Sequence, residues 1–242
     1  MPRKAQTASV ADSHPAPGGA AAVDRALSLL SAFRAGDASL TLAELSARTR
    51  LYKSTVLRLL ASLEHARLLQ RLDNGSYALG SEIARLSSVY SASFSLDRLV
   101  LPVLRELVAA TGESAAYHVR QGPARLCLYR VDSPHPVRDH IKAGDLLPMD
   151  RGTGGRVLTA FDPELGQGKD PKERKRLAAI RERGFVAATG DRLAEVAGIS
   201  APVFRADGHI AAALTLTMPS HRYQERFIEP VLEGARRLSG RV

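Results

Sequence analysis

Residues 41–79 read TLAELSARTRLYKSTVLRLLASLEHARLLQRLDNGSYAL, and the periods within this stretch decide how the N-terminal third folds. Thr41 and Glu44 have the Ser/Thr-x-x-Glu spacing of a capping box, in which each residue satisfies the other's free backbone N–H. Leu40 and Leu45 bracket that start as a hydrophobic staple, so a helix begins at Leu42. Further on, Val56, Leu59, Leu60 and Leu63 recur at i, i+3, i+4 and i+7, one apolar stripe at helical period. Two strand-like runs, 68–72 and 76–79, then flank Asn74-Gly75, the pair favoured by a two-residue type I′ hairpin.

Two short helices followed by a hairpin predict a winged helix-turn-helix. In that motif the N-terminal end of the second helix enters the DNA major groove. Lys53, Ser54, Thr55, Leu57 and Arg58 occupy that end, away from the apolar stripe. Arg58 suits guanine O6 and N7 or a phosphate, and Lys53 suits a phosphate. Ser54 and Thr55 suit phosphate oxygens or base edges, and Leu57 a thymine methyl. Thr41, at the start of the first helix, and Asn74, at the hairpin tip, complete the candidate DNA contacts.

The segments VDRALSLLSAF, LTLAELSARTRLYKSTVLRLLASLEHARLL and YALG, in that order and spacing, resemble the DNA-binding half of the IclR family of bacterial transcriptional regulators. Tyr52 departs from the family pattern, which usually has a proline or a capping residue before Lys-Ser-Thr.

The chain has 242 residues, of which 45% are hydrophobic, enough for one large or two medium domains with real cores. A single cysteine, Cys127, excludes an internal disulfide framework, and no apolar run is long enough to span a bilayer. A cytoplasmic protein is the expectation. Formal charge is +9 and suits polyanionic partners, but the excess is spread along the chain: the first 90 residues hold eleven basic and seven acidic side chains.

Residues 1–19, rich in Ala, Pro, Ser and Gly, read as a disordered tail without the apolar core of a signal peptide. Between 20 and 33, Val23, Ala26, Leu27, Leu30 and Phe33 form a helical stripe that ends before Gly36-Asp37. The winged domain is therefore assigned to 20–80, a linker helix with Ile83, Leu86 and Tyr90 to 81–94, and a second domain to 95–242.

That second domain opens on a helical stripe from Leu96 to Val108, in which Pro102 predicts a kink or restart. Hairpins are expected at 115–131 around Gln121-Gly122-Pro123 and at 198–217 across Ala206-Asp207-Gly208, with a closing helix over 223–238. Helices beside an antiparallel sheet make an α+β domain. TGESAAYHV, LCLYRVDS, GDLLPMDRGTGGRVLTAF and GISAPVFRADGHIAAALTLTMP resemble, in order, the GAF-like effector domain of IclR regulators.

Within it, DRGTGGR at 150–156 offers Gly152, Gly154 and Gly155, whose backbone N–H groups can approach a carboxylate beside a helix start near Arg156. It lacks the GKS or GKT ending of a phosphate-binding P-loop. The resemblance implies an effector pocket bordered by Met149, Gly152, Thr153, Gly154, Gly155 and Gly198, with Thr215 and Thr217 presenting hydroxyls from one strand face. It also implies a small organic acid or aromatic effector. Here Arg156 replaces the usual Lys, Gly152-Thr153 the usual Thr-Ala, Gly198 a polar or thiol side chain and Glu195 a Gly, so effector identity does not carry over.

Other polar residues carry less. His118, His135 and His140 match no metal-site spacing and read as surface histidines, so neither metal nor cofactor is expected. Residues 169–176 read as the solvated start of a helix, and Cys127 as a small buried hydrophobe. The favoured reading is a ligand-responsive regulator without catalysis, a homodimer or homotetramer on a palindromic operator in double-stranded DNA. The alternative is an enzyme or metabolite-binding protein in which Arg125, Arg130, Arg156 and the glycine loop hold an anion, with Asp150 and His140 as the nearest acid/base candidates.

Overall fold

The computed structural model describes residues 8–94 and 96–242. Contacts divide the chain between Ser93 and Phe94 into two units.

In the first unit, helix α1 spans Val10–Ser13, α2 Ala21–Ser31, α3 Leu42–Thr49 and α4 Lys53–His65. Part of the segment expected to be a disordered tail is thus ordered. Ser9 caps α1 by accepting from the Asp12 N–H at 3.1 Å, and Asp12 in turn pairs with Arg25 of α2 at 2.9 Å. Residues 1–7 lie outside the described residues. The capping box starts α3 as its sequence predicts: the Glu44 N–H donates to the Thr41 hydroxyl and the Thr41 N–H to the Glu44 carboxylate. Leu29, Leu40, Leu45, Leu51, Val56, Leu60 and Leu63 close one core among the helices.

Strands β1 (Leu69–Arg71) and β2 (Tyr77–Leu79) form the wing. Its turn is wider than the predicted two-residue type I′ loop. The Leu72 N–H donates to the Ser76 carbonyl and the Gly75 N–H to the Leu72 carbonyl, with Gly75 at φ 79° and Asn74 outside the left-handed region. This is a type I turn closed by a left-handed glycine. The Asn74 side chain decides it by accepting from the Ser76 N–H (2.9 Å) and hydroxyl (2.6 Å), a local bond that holds Asn74 out of the I′ geometry. Leu40 adds a third strand position by exchanging both backbone bonds with Tyr77. Helix α5 follows over Ser81–Phe94.

The second unit opens with α6 (Leu96–Thr111), which runs through Pro102 without the expected restart; its apolar side, Val100, Val103, Leu104 and Leu107, holds it onto the core. Strands β3 (Ser114–Gln121) and β4 (Ala124–Val131) make the first hairpin, and β5 (Leu146–Pro148) pairs with β4. Helix α7 (Thr153–Phe161) and helix α8 (Pro171–Arg183), capped by Asp170 accepting from the Glu173 N–H at 2.8 Å, precede β6 (Val186–Thr189). Strands β7 (Val196–Phe204) and β8 (Ile210–Pro219) form the second hairpin. Two short 3₁₀ turns then lead into α9 (Ile228–Leu238), so the closing helix starts later than its sequence suggests.

The six strands run antiparallel in the order β5-β4-β3-β8-β7-β6. Period-two alternation divides the sheet's faces. Leu214, Leu216, Ile199 and Tyr117 point to the face where Val103, Leu104, Leu107, Val231 and Leu238 of α6 and α9 pack. Ala213, Thr215 and Thr217 of β8 point to the other, where α7 contributes Val157 and Leu158. That second face carries the polar cavity.

Candidate nucleic-acid interface and ligand cavity

Helix α4 buries Val56, Leu60 and Leu63 and exposes Lys53, Ser54, Leu57 and Arg58, while Thr55 is half-buried. Leu57 keeps 47% of its surface and Tyr52 64%, so an apolar contact is available beside the cations. Among the described residues Lys53 and Arg58 make no ion pair, and both cations are free for an external anion. The entry to α4 is uncapped: Tyr52 makes no side-chain bond to the first turn. The turn is secured instead by Arg50 at φ 58° and by the Ser46 hydroxyl, which donates to the Leu51 carbonyl at 2.6 Å. Arg48 adds an ion pair to Asp37 and a bond to the Ala32 carbonyl, tying α3 to the end of α2. Thr41 and Asn74 already make local bonds, which leave the Asn74 amide NH2 as the donor at the wing tip. The Thr41 hydroxyl is committed to Glu44 in both directions, and the Asn74 carbonyl oxygen to Ser76.

The cavity of the second unit is lined from β3, β4, β7, β8 and the loop before α7. Gly152, Thr153, Gly154, Gly198, Thr215 and Thr217 border it. Met149 and Gly155 do not. Met149 packs in the small core with Val157 and Leu158, and Gly155 is the point where α7 passes the preceding loop. A Cβ at Gly155 would lie 2.5 Å from the Met149 carbonyl oxygen and 2.7 Å from Arg125, so only glycine fits. The helix starts at Thr153, earlier than Arg156, with Gly152 at φ 81° before it.

A chain of hydroxyls crosses the floor. Thr153 Oγ1 and Ser200 Oγ are 2.8 Å apart, Ser200 Oγ and Thr215 Oγ1 2.8 Å, and Thr215 Oγ1 and His118 Nδ1 3.3 Å. A Cβ at Gly198 would stand 2.7 Å from the Thr153 hydroxyl, so the bare glycine makes room for that side chain.

His118 is not the surface histidine its sequence context suggested: it is 1% exposed, because its position in β3 faces the cavity, whereas His135 and His140 are exposed. Burial, and then the nearby Arg125, Arg130 and Arg192, push its pKa down to about 3, so it is neutral near pH 7. Arg125 is 3% exposed and donates through Nη1 to the Pro148 and Arg151 carbonyls, the latter at 2.9 Å. Burial, followed by repulsion from Arg192, lowers its pKa to about 10, leaving it a cation. Arg156 is tied up: it pairs with Asp191, which also accepts from the Gly152 N–H at 2.8 Å and so anchors the glycine loop. That pair holds the Asp191 carboxyl below its usual range. Asp191, Arg192 and Ile141 line the cavity without having been singled out by sequence. They come from irregular segments with no periodic signal, and only the fold brings them in.

The acid/base candidates of the enzyme alternative are not assembled. Asp150 is exposed and pairs with its neighbour Arg151 at 3.3 Å, and His140 is exposed as well. Cys127 is buried, and burial raises its thiol to about 12, far from thiolate chemistry. Among the described residues no helix is long and apolar enough to cross a membrane.

Comparison with known proteins agrees across both units. Residues 22–73 match the IclR helix-turn-helix domain, and residues 169–240 match the bacterial transcriptional regulator IclR C-terminal domain. The chain is 28% identical to the HTH-type transcriptional regulator BhcR of Paracoccus denitrificans over 92% of its own length and 87% of the relative's. A crystal structure of an IclR-family regulator from a Rhodococcus species is 31% identical, covering 93% of this chain and 95% of that one with a TM-score of 0.56. A second, an IclR homologue from Microbacterium hydrocarbonoxydans complexed with 4-hydroxybenzoate, shares the fold at a TM-score of 0.77 and 24% identity, covering 90% of this chain and 97% of that one. A DNA-reading helix, an α+β ligand domain and these matches lead to one assignment: the chain belongs to the IclR family of bacterial DNA-binding transcriptional regulators.

Proposed function

We propose that this regulator reads a palindromic operator as a cytoplasmic homodimer or homotetramer, through Lys53, Ser54, Thr55, Leu57 and Arg58, and that a small organic acid or aromatic metabolite controls it from the cavity of the 95–242 domain. The observation that carries the effector half is the buried Arg125 guanidinium, which faces the cavity with neutral carbonyls as its partners. A buried cation without a bonded carboxylate is costly, and an anionic ligand offsets that cost. The 4-hydroxybenzoate held by the Microbacterium homologue supports a carboxylate of this kind. No chemical step is assigned: the Thr215 hydroxyl beside His118 Nδ1 is shared with Ser200, and His118 Nε2 has no partner that would orient the ring as a base.

On the DNA side, the support is the exposed cationic edge of α4 opposite the buried Val56, Leu60 and Leu63. Two-fold pairing of such helices produces half-sites about one helical turn apart, hence a palindrome. Fluorescence anisotropy of the full chain against the DNA upstream of its own coding region and against a scrambled duplex, at one fixed salt concentration, tests the reading. Preferential binding that shifts on adding a carboxylate supports it; equal weak binding to both duplexes, unaffected by carboxylates, overturns it.

A further inference from the structure

Two guanidinium groups line the cavity, Arg125 and Arg192, and two more stand beside it, Arg130 on Asp139 and Arg156 on Asp191. Two carboxylates answer them, Asp139 with its side chain buried and Asp191 partly so. Asp191 is spent on Arg156. Asp139 accepts from Arg130 at 2.5 Å and lies 4.0 Å from Arg192 Nη2, beyond hydrogen-bond reach. Asp132 also touches Arg130, but it is half exposed and shared with Arg138 at the surface, so that pair adds no net charge. The cluster therefore carries two positive charges in excess, centred on Arg125 and Arg192.

Donor geometry agrees with the charge count. Arg125 Nε and Arg192 Nη2 are buried without a hydrogen-bond partner, as is His118 Nε2. A Cβ at Gly152 would lie 2.8 Å from Arg125 Nη2 and 3.7 Å from the Arg192 Cβ, so the bare glycine is what lets both arginines flank the loop. The cavity that both arginines line is small, ≈ 30 Å³.

We infer that the ligand of this cavity is a compact dianion, its oxyanion groups taking Arg125 Nε and Arg192 Nη2 and a further acceptor taking His118 Nε2. The inference rests on reading the cavity as the effector site and narrows the effector from acids in general to those with two negative charges. Short dicarboxylates and inorganic phosphate share that chemistry, while butyrate and benzoate lack the second charge.

Isothermal titration of the full-length protein at pH 7.5 with succinate, inorganic phosphate, butyrate and benzoate separates these. At least one dianion is expected to bind about tenfold or more tighter than either monoanion, and Arg192→Gln is expected to reduce that preference to about threefold or less. Because Arg192 is partly exposed and Arg125 holds the loop, Arg192→Gln is the variant expected to stay folded, which its thermal midpoint checks. Butyrate or benzoate matching succinate and phosphate overturns the dianion and leaves the acid-effector reading intact. Phosphate binding without succinate supports the dianion and removes the organic acid. A preference unchanged in folded Arg192→Gln overturns the assignment of the second charge to Arg192, and with it the proposal; binding of none of the four overturns both readings.

Discussion

Arg58 on α4 is exposed and makes no ion pair among the described residues, whereas Arg125 in the cavity is 3% exposed and donates to two backbone carbonyls. Both are cations with no carboxylate bonded to them among the described residues, but they are accommodated by opposite means. The reading helix leaves its charges in water, where they cost nothing in folding and their apolar neighbours alone hold the helix. The cavity takes its charges out of water and must hold them with carbonyls, a glycine loop and a neutral histidine. A substitution on the helix surface should therefore alter binding without altering stability, while one at the cavity should alter both.

The largest expected effect falls on the buried side of α4. Leu60→Ala removes a side chain at 1% exposure and should destabilise the first unit by about 2–5 kcal/mol. DNA binding should be lost while the cavity's ligand affinity persists, as seen by calorimetry with two separated transitions. A single transition that moves as one would mean that the two units do not melt independently.

Next comes the pH dependence of the second unit. His118 has its native pKa near 3 and its unfolded value near 6.5, so below pH 6.5 the unfolded chain takes up a proton that the native state refuses. Stability should fall as pH drops from 6.5 towards 3, by up to about 1.4 kcal/mol per pH unit, and should not change on this account above 6.5. His118→Gln should flatten the slope in denaturant titrations across that window. An equal slope in parent and variant would show that the histidine is not held neutral.

Arg58→Ala tests the opposite regime. Operator affinity should weaken by about 1–3 kcal/mol, specificity should relax, and the thermal midpoint should stay unchanged. A variant as tight as its parent would remove Arg58 from the readout. The smallest change is Lys53→Ala, which should weaken operator and random duplexes alike and lower the slope of log affinity against log salt by about 1. A loss confined to the operator would make Lys53 a base contact instead.

How far each region could be read from sequence follows the same division. The capping box at Thr41 and Glu44, the stripe from Val56 to Leu63 and the exposed cations of α4 are local, because a helix places residues three and four apart on one face whatever surrounds it. Strand alternation likewise put Thr215 and Thr217 on one face of β8, where both border the cavity. The wing turn was legible as a turn but not as a type, since the Asn74 side chain bonds Ser76 and changes which residue goes left-handed.

Periodicity and spacing by themselves determined the helix faces, the Thr41 cap and the places where hairpins turn, since these rest on residues close in sequence. Tertiary structure alone decided that His118 is buried, that Arg156 is neutralised by Asp191 and that Arg192 faces the cavity with Arg125. The partners in those relations lie 35 or more residues apart, as Arg156 and Asp191 do, and no local pattern records which distant side chain will meet a buried charge.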